Sequence, residues 1–420
     1  MRTLASSILV LAIACGHRDS EPHPAAGSDR TSEARTRRQP QESPAGAHAF
    51  YATTFAKRPP VAELTALGAI AFRDPDLSAS GTLACSSCHD PDHAFTPAND
   101  LAIQLGGRTG KLAGTRATPS LRYLQTVPRF TEHFHDADDH DDVDQGPAGG
   151  LTWDGRAATT HEQALAPLTS PVEMANASLD EVATKLRAAP YITRFRDAFG
   201  DPLVTTAAAI KALTLALEVY QQDPAAFYPY TSKYDAMLRG QATLTPREAR
   251  GKQLFDDADK GNCASCHPDT MQNGFPAFTD FGYVAVGVPR NASIPANADP
   301  GYYDLGLCGP YRTDLAAQSK YCGMFRTPSL RNVATRRRLF HNGAFTNLRD
   351  AVAFYATRDV TPDRWYPRGH KLDDLPRRYH ANVNIDPPFG GKRHLTDADV
   401  ADIVVFLGTL TDGYRQDSTD

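Results

Sequence analysis

Several features that would betray a function class at once are scarce in this 420-residue chain. Net charge is only −5 with 22 % charged residues, which excludes the basic footprint of a nucleic-acid-binding protein. Long hydrophobic runs are missing, and the apolar stretch Leu4–Ala14 is too short to cross a bilayer. It follows Arg2 and ends in Ala12-Ile13-Ala14-Cys15, so residues 1–15 read as a signal peptide. That end is similar to a bacterial lipoprotein processing site at which Cys15 would carry lipid. The expected location is the periplasm, with an N-terminal lipid anchor as the only link to a membrane. Strand signals are sparse, so the fold is expected to be mainly α. Tryptophan occurs twice and cysteine seven times.

Four of those cysteines fall in two copies of one signature, Cys85-Ser86-Ser87-Cys88-His89 and Cys263-Ala264-Ser265-Cys266-His267. Cys-x-x-Cys alone also serves zinc and dithiol redox sites. A His directly after the second Cys, twice in one chain, is the attachment pattern of c-type haem. The thiols add to the porphyrin, and His89 and His267 bind iron from the proximal side. Two covalently bound haems are therefore expected. Cys308 and Cys322 remain in the second half and are expected to form a disulfide, which an oxidising compartment preserves.

Residues 16–47 are polar and rich in Pro, Ser and Arg, the composition of a flexible linker. The remainder reads as one unit written twice, residues 48–235 and 236–420. A helix pattern at Glu63–Phe72 runs into the first motif. Thr245-Pro246-Arg247-Glu248, a capping box with Pro at the first helical position, opens the helix before the second. Ala117-Thr118-Pro119-Ser120-Leu121-Arg122 recurs as Arg326-Thr327-Pro328-Ser329-Leu330-Arg331, and Trp153-Asp154-Gly155-Arg156 corresponds to Phe340-His341-Asn342-Gly343. Periodicity predicts further helices over Asp180–Phe199, Ala207–Tyr220 and Asp397–Leu410. The expected architecture is two mostly helical cytochrome c-like domains, each with one haem.

These motifs, with Phe95-Thr96, Glu162-Gln163-Ala164, Pro167 and Glu173-Met174, resemble the bacterial di-haem cytochrome c peroxidase and MauG family over about residues 60–412. The resemblance implies a periplasmic enzyme that activates hydrogen peroxide at the N-terminal haem, with the C-terminal haem passing electrons. It places Glu173 as the acid–base group, Gln163 as a distal hydrogen-bonding residue, Trp153 between the haems and His341 near a haem edge. Calcium is often held between the family's domains. Here the corresponding positions are Tyr123, Arg336 and Arg338, and two guanidinium groups oppose a divalent cation. Arg336–Arg338 are instead expected to meet haem propionates or an acidic partner.

A haem with two strong axial ligands transfers electrons, and one with an empty position binds peroxide. Aligning Gly155 with Gly343 sets Pro167 against Tyr355. Proline has no donor atom, so the first iron is expected to stay open, and Tyr355 is the expected second ligand to the iron on His267. Met324, His341 and His370 are the other candidates for that place. The resemblance adds that peroxidases usually have Met at the Tyr355 position and MauG has Tyr. Many also carry a His that caps the first haem, yet Gly106–Gly110 has none. Three readings follow. The first is a peroxidase fed by a small periplasmic redox protein, a cytochrome c or cupredoxin. The second is a MauG-like enzyme oxidising residues of a protein partner. The third is a di-haem electron-transfer protein, against which Glu173, Gln163 and Pro167 argue. The His-rich stretch His133–Asp144 is expected to be a solvated acidic loop.

Overall fold

Local chemistry starts most of the helices. In the computed structural model, which describes residues 55–135, 144–270 and 274–415, the α-helices of six residues or more among those described are α1 Val61–Ala71, α2 Thr160–Thr169, α3 Leu179–Ala188, α4 Ile192–Phe199, α5 Thr206–Tyr220, α6 Lys233–Leu238, α7 Pro246–Asp256, α8 Leu348–Thr357 and α9 Asp397–Gly408. The Ser, Thr or Asn before α2, α3, α5, α6, α7, α8 and α9 accepts a first-turn backbone N–H through its side chain. The capping box at Thr245 and Glu248 forms as expected, with Pro246 at the first position. The expected signal peptide and linker lie outside the described residues.

One expectation is corrected. Asp180–Phe199 is not a single helix but α3 and α4, broken at Ala189-Pro190-Tyr191. Pro190 has no N–H to give, and Ala189 before it is extended at ψ 142. The other helix ends fall within two residues of their expected places.

Strands are confined to two antiparallel ribbons, β1 Leu105–Gly106 with β2 Leu112–Ala113 and β3 Tyr283–Val284 with β4 Phe325–Arg326. The described residues are thus mainly helical, and all belong to one compact unit. The same helix pair occurs twice, α1 on α5 and α7 on α9. One apolar core gathers residues from Phe55 to Phe227, among them Leu67, Phe95, Phe195 and Leu213. A second gathers residues from Tyr234 to Leu410, among them Phe255, Phe278, Phe354 and Phe406. Cys308 and Cys322 are bonded, as expected, and cap a small cluster with Leu307, Leu315 and Tyr321.

The halves interlock through two turns. Gly155 and Gly343 both sit at positive φ, +65° and +62°, which glycine adopts without strain. A side chain on Gly155 would run into the Tyr283 hydroxyl, and one on Gly343 would run into the Ala102 carbonyl. Each turn is therefore closed by the other half.

Candidate active site

The second Cys-x-x-Cys-His motif borders a cavity of about 200 Å³. Cys263, Cys266, His267, His341, Tyr355 and Trp153 all line it. His267 Nδ1 lies 2.9 Å from the Phe278 carbonyl oxygen. A carbonyl only accepts, so the ring proton is on Nδ1 and Nε2 keeps a lone pair for a metal. Burial pushes the imidazole pKa down to about 4, so the ring stays neutral. Tyr355 comes from α8, its ring stacked between Phe340 at 5.8 Å and Phe389 at 5.0 Å. No described residue hydrogen-bonds its hydroxyl. Burial pushes its pKa above the ordinary phenol value. The residue is half-buried and lines the cavity, where a bound group would give its hydroxyl a partner.

His341 is packed flat on Phe325 at 3.5 Å and edge-on to Trp153 at 6.5 Å. Burial and the nearby Arg116 lower its pKa to about 4. Trp153 donates its indole N–H to the Ala117 carbonyl at 2.7 Å, while the Ala117 N–H donates to the His341 carbonyl at 2.7 Å. One peptide of the first half thus ties Trp153 to His341 of the second. His370 is exposed and stands apart from this cavity.

These residues fit a haem. The walls are apolar, including Val286, Leu330, Leu339 and Leu395. Arg326 and Thr327 also line the space, and Arg326 Nη1 and Thr327 Oγ1 are buried without partners. An apolar disc bearing carboxylates satisfies both demands. Zinc does not fit, since no three His, Cys, Asp or Glu converge among the described residues.

The first motif forms one α-turn, Cys85–Cys88. His89 Nδ1 lies 3.0 Å from the Phe95 carbonyl, as His267 Nδ1 does from Phe278, and the Pro119 carbonyl also acts on the ring. Ala94 and Phe95 both have positive φ, which turns that carbonyl back to the ring. Burial keeps this imidazole neutral too, at about 4, and raises the Cys85 and Cys88 thiols to about 12 and 11. The Glu173 carboxylate adds to this rise at both thiols, less than Cys88 does at Cys85. Glu173 therefore shares the space in front of this motif. Glu173 is exposed in front of the motif, yet partial loss of water pushes its pKa up against the opposing pull of Ser170 and Arg156.

Backbone bonds fix that placement. Met174 N–H donates to Pro167 O at 3.1 Å and Glu173 N–H to Ser170 O at 3.1 Å, making one turn of Pro167 and Glu173. From the other side Gly107 N–H donates to Glu173 O at 2.8 Å. Gln163 is half-buried one turn before Pro167 on the same face of α2. Its amide makes no hydrogen bond with a described residue, and none joins it to Glu173.

A run of ion pairs that the sequence did not announce links the two places. Arg156 Nη1 is 2.9 Å from Asp154 Oδ2, Arg116 Nη1 is 2.7 Å from the same oxygen, and Arg116 Nε is 2.6 Å from Asp304 Oδ2. Arg156 acts on Glu173 at one end, and Asp304 lines the second cavity at the other. Asp154 is fully buried. The Phe278 acceptor was missed as well. Its signal was Ala94-Phe95-Thr96 recurring as Ala277-Phe278-Thr279, hidden by a longer gap after the second His. In the acidic loop, His133 pairs with Asp144 at 2.6 Å, and residues 136–143 lie outside the described residues.

Two paired proximal histidines, a free phenol and a carboxylate beside one motif define a di-haem oxidoreductase of peroxidase type. The sequence pattern described as di-haem cytochrome c peroxidase matches residues 62–243. The chain belongs to that family, with MauG among its relatives. It is 36 % identical to the methylamine utilization protein MauG of Paracoccus denitrificans over 372 residues, 84 % of this chain and 90 % of that one. It is 27 % identical to the cytochrome c peroxidase Ccp of Escherichia coli, over 79 % of this chain and 61 % of that one. The crystal structure of the di-haem peroxidase BthA from Burkholderia thailandensis superposes with a TM-score of 0.75 at 41 % identity, covering 85 % of this chain and 87 % of that one.

Proposed function

We propose that Cys85, Cys88 and His89 hold one c-type haem covalently and that Cys263, Cys266 and His267 hold the other, in cytochrome c-like domains of residues 48–235 and 236–420. The first haem, when bound, supplies an iron at which hydrogen peroxide takes two electrons and two protons to give two waters. Glu173 takes the proton from the nearer peroxide oxygen and returns it to the departing one. Its raised pKa suits a group that must both accept and release. Gln163 orients peroxide through its unused amide. Pro167 has no donor atom and so would offer no ligand to a haem held by His89.

His267 and Tyr355 would hold the second haem, and a phenolate ligand would favour its ferric state. Trp153 carries electrons between the sites. They enter from a small periplasmic redox protein, a cytochrome c or cupredoxin, and the protein works in the periplasm on a lipid anchored at Cys15. The observation that carries this reading is the asymmetry: a carboxylate beside Cys85 and Cys88, and an unpartnered phenol beside His267.

A second reading, oxidation of residues in a protein partner, is favoured by Tyr355 and by the likeness to MauG. An EPR spectrum of the oxidised holoprotein tests the shared core of both. One high-spin and one low-spin ferric signal is the expected result, and two low-spin signals would leave only an electron carrier.

A further inference from the structure

Three successive arginines of the second half press on the first, and they are not equivalent. Arg337 Nη1 pairs with Asp100 Oδ1 at 3.0 Å, and Arg338 Nε donates to the Asp100 carbonyl at 2.7 Å. Arg336 reaches two carbonyls at the long end of hydrogen-bond range, Thr118 O at 3.2 Å and Arg338 O at 3.3 Å. No carboxylate among the described residues pairs with it. It lies in a crevice with Thr96, Ala117 and Thr118, directly after the strip that carries the first motif's His89-facing turn. Loss of water is the sole influence on it and brings its pKa down to about 10. Thr96 of this crevice directly follows Phe95, whose carbonyl lies 3.0 Å from His89 Nδ1, so the guanidinium stands close to the proximal turn of the first motif.

A half-buried guanidinium with carbonyl acceptors but no counter-charge gains from an anion placed beside it. The second cavity shows the same unfilled demand in Arg326 Nη1. We propose that Arg336 pairs with a propionate of the first haem, so that a residue of the second half sets the reduction potential of the iron on His89. The inference rests on the haem placement proposed above. Arg336 is a positioning residue. Its positive charge disfavours the ferric state, so it holds that potential up.

The test uses the holoprotein and its Arg336→Gln and Arg336→Lys variants. Haem per chain is counted first, and fewer than two in the unmodified protein would overturn the haem placement itself. Each haem is then followed separately by spectroelectrochemistry. At fixed applied potential, Arg336→Gln is expected to raise the ferric-to-ferrous ratio of the high-spin haem about tenfold, about 59 mV for one electron. That is the size expected for a unit charge roughly 10 Å away at an effective dielectric of about 20. Arg336→Lys should recover most of the shift, and the low-spin haem should not move. A high-spin ratio unchanged in Arg336→Gln, or an equal shift of both haems, overturns the pairing.

Discussion

Replacing Glu173 by Gln removes the proposed proton carrier while keeping the size of the side chain and the backbone bonds to Ser170 and Gly107. Positioned acid–base groups contribute about 10²–10⁴-fold to rate, or about 2.7–5.4 kcal/mol of transition-state stabilisation. The loss should appear in the second-order rate of reaction with peroxide, read by stopped-flow absorbance at the haem band, with haem content intact. The structure also dictates a pH signature. Glu173 must be ionised to accept a proton, so the rate falls as pH drops through its pKa. Partial loss of water holds that pKa above the ordinary 4.5, and the acid limb of the profile should lie higher than for a free carboxylate. Arg156 pulls the same pKa down, so Arg156→Gln should move the limb upward, and Glu173→Gln should abolish it. A Glu173→Gln protein within about threefold of the parent, with the limb still present, would refute the assignment.

Tyr355→Met should raise the second haem's potential and Tyr355→Phe should turn its low-spin signal high-spin; unaltered spectra in both would show that the phenol is not a ligand. Trp153→Phe loses the bond to Ala117 and should slow electron transfer between the haems, followed by rapid-mixing spectroscopy of the reduced protein; an unchanged rate would remove the relay. Asp154→Asn strips the largely buried Arg116 and the exposed Arg156 of a shared charge and should destabilise the fold by about 3–5 kcal/mol in denaturant unfolding, whereas a loss below about 1 kcal/mol would make the pairs incidental. Asp154 and Asp359 both have depressed pKa values, the latter about 2, so the stability they lend is present above the ordinary 3.8 and is lost as pH falls below it, measurable by acid titration of the circular dichroism signal. Replacing Cys308 and Cys322 together by Ala opens a loop with a separation of 14 residues, which should cost about 3 kcal/mol.

Much of the candidate site could be read before any coordinates because short motifs carry it. Cys-x-x-Cys-His fixes four thiols and two imidazoles within a few residues, and the spacing from Gly343 to Tyr355 spans one helix, so local sequence controls both. The proximal acceptors Phe95 and Phe278 were half visible, since Ala-Phe-Thr repeats at unequal distances from His89 and His267. What escaped was long-range. Arg116 meets Asp304 across 188 positions, and nothing near either residue announces the pairing. Pro190 was legible and should have divided Asp180–Phe199, but the apolar periodicity continues on both sides of it and masked the break. The roles of Arg336, Arg337 and Arg338 differ only through what the opposite half presents to them, which a run of three identical letters cannot reveal.

The reciprocal seating of Gly155 against Tyr283 and Gly343 against Ala102 bears on how such a chain can change over time. Although a duplicated unit is expected to tolerate drift in either copy, here neither copy owns the room around its own bend. A methyl group gained at one bend needs an accommodating retreat in the other copy, so the two stretches must vary as a matched set. Grafting the second repeat from a cousin protein would disturb the bend that supports Trp153, because Tyr283 of that repeat seats it.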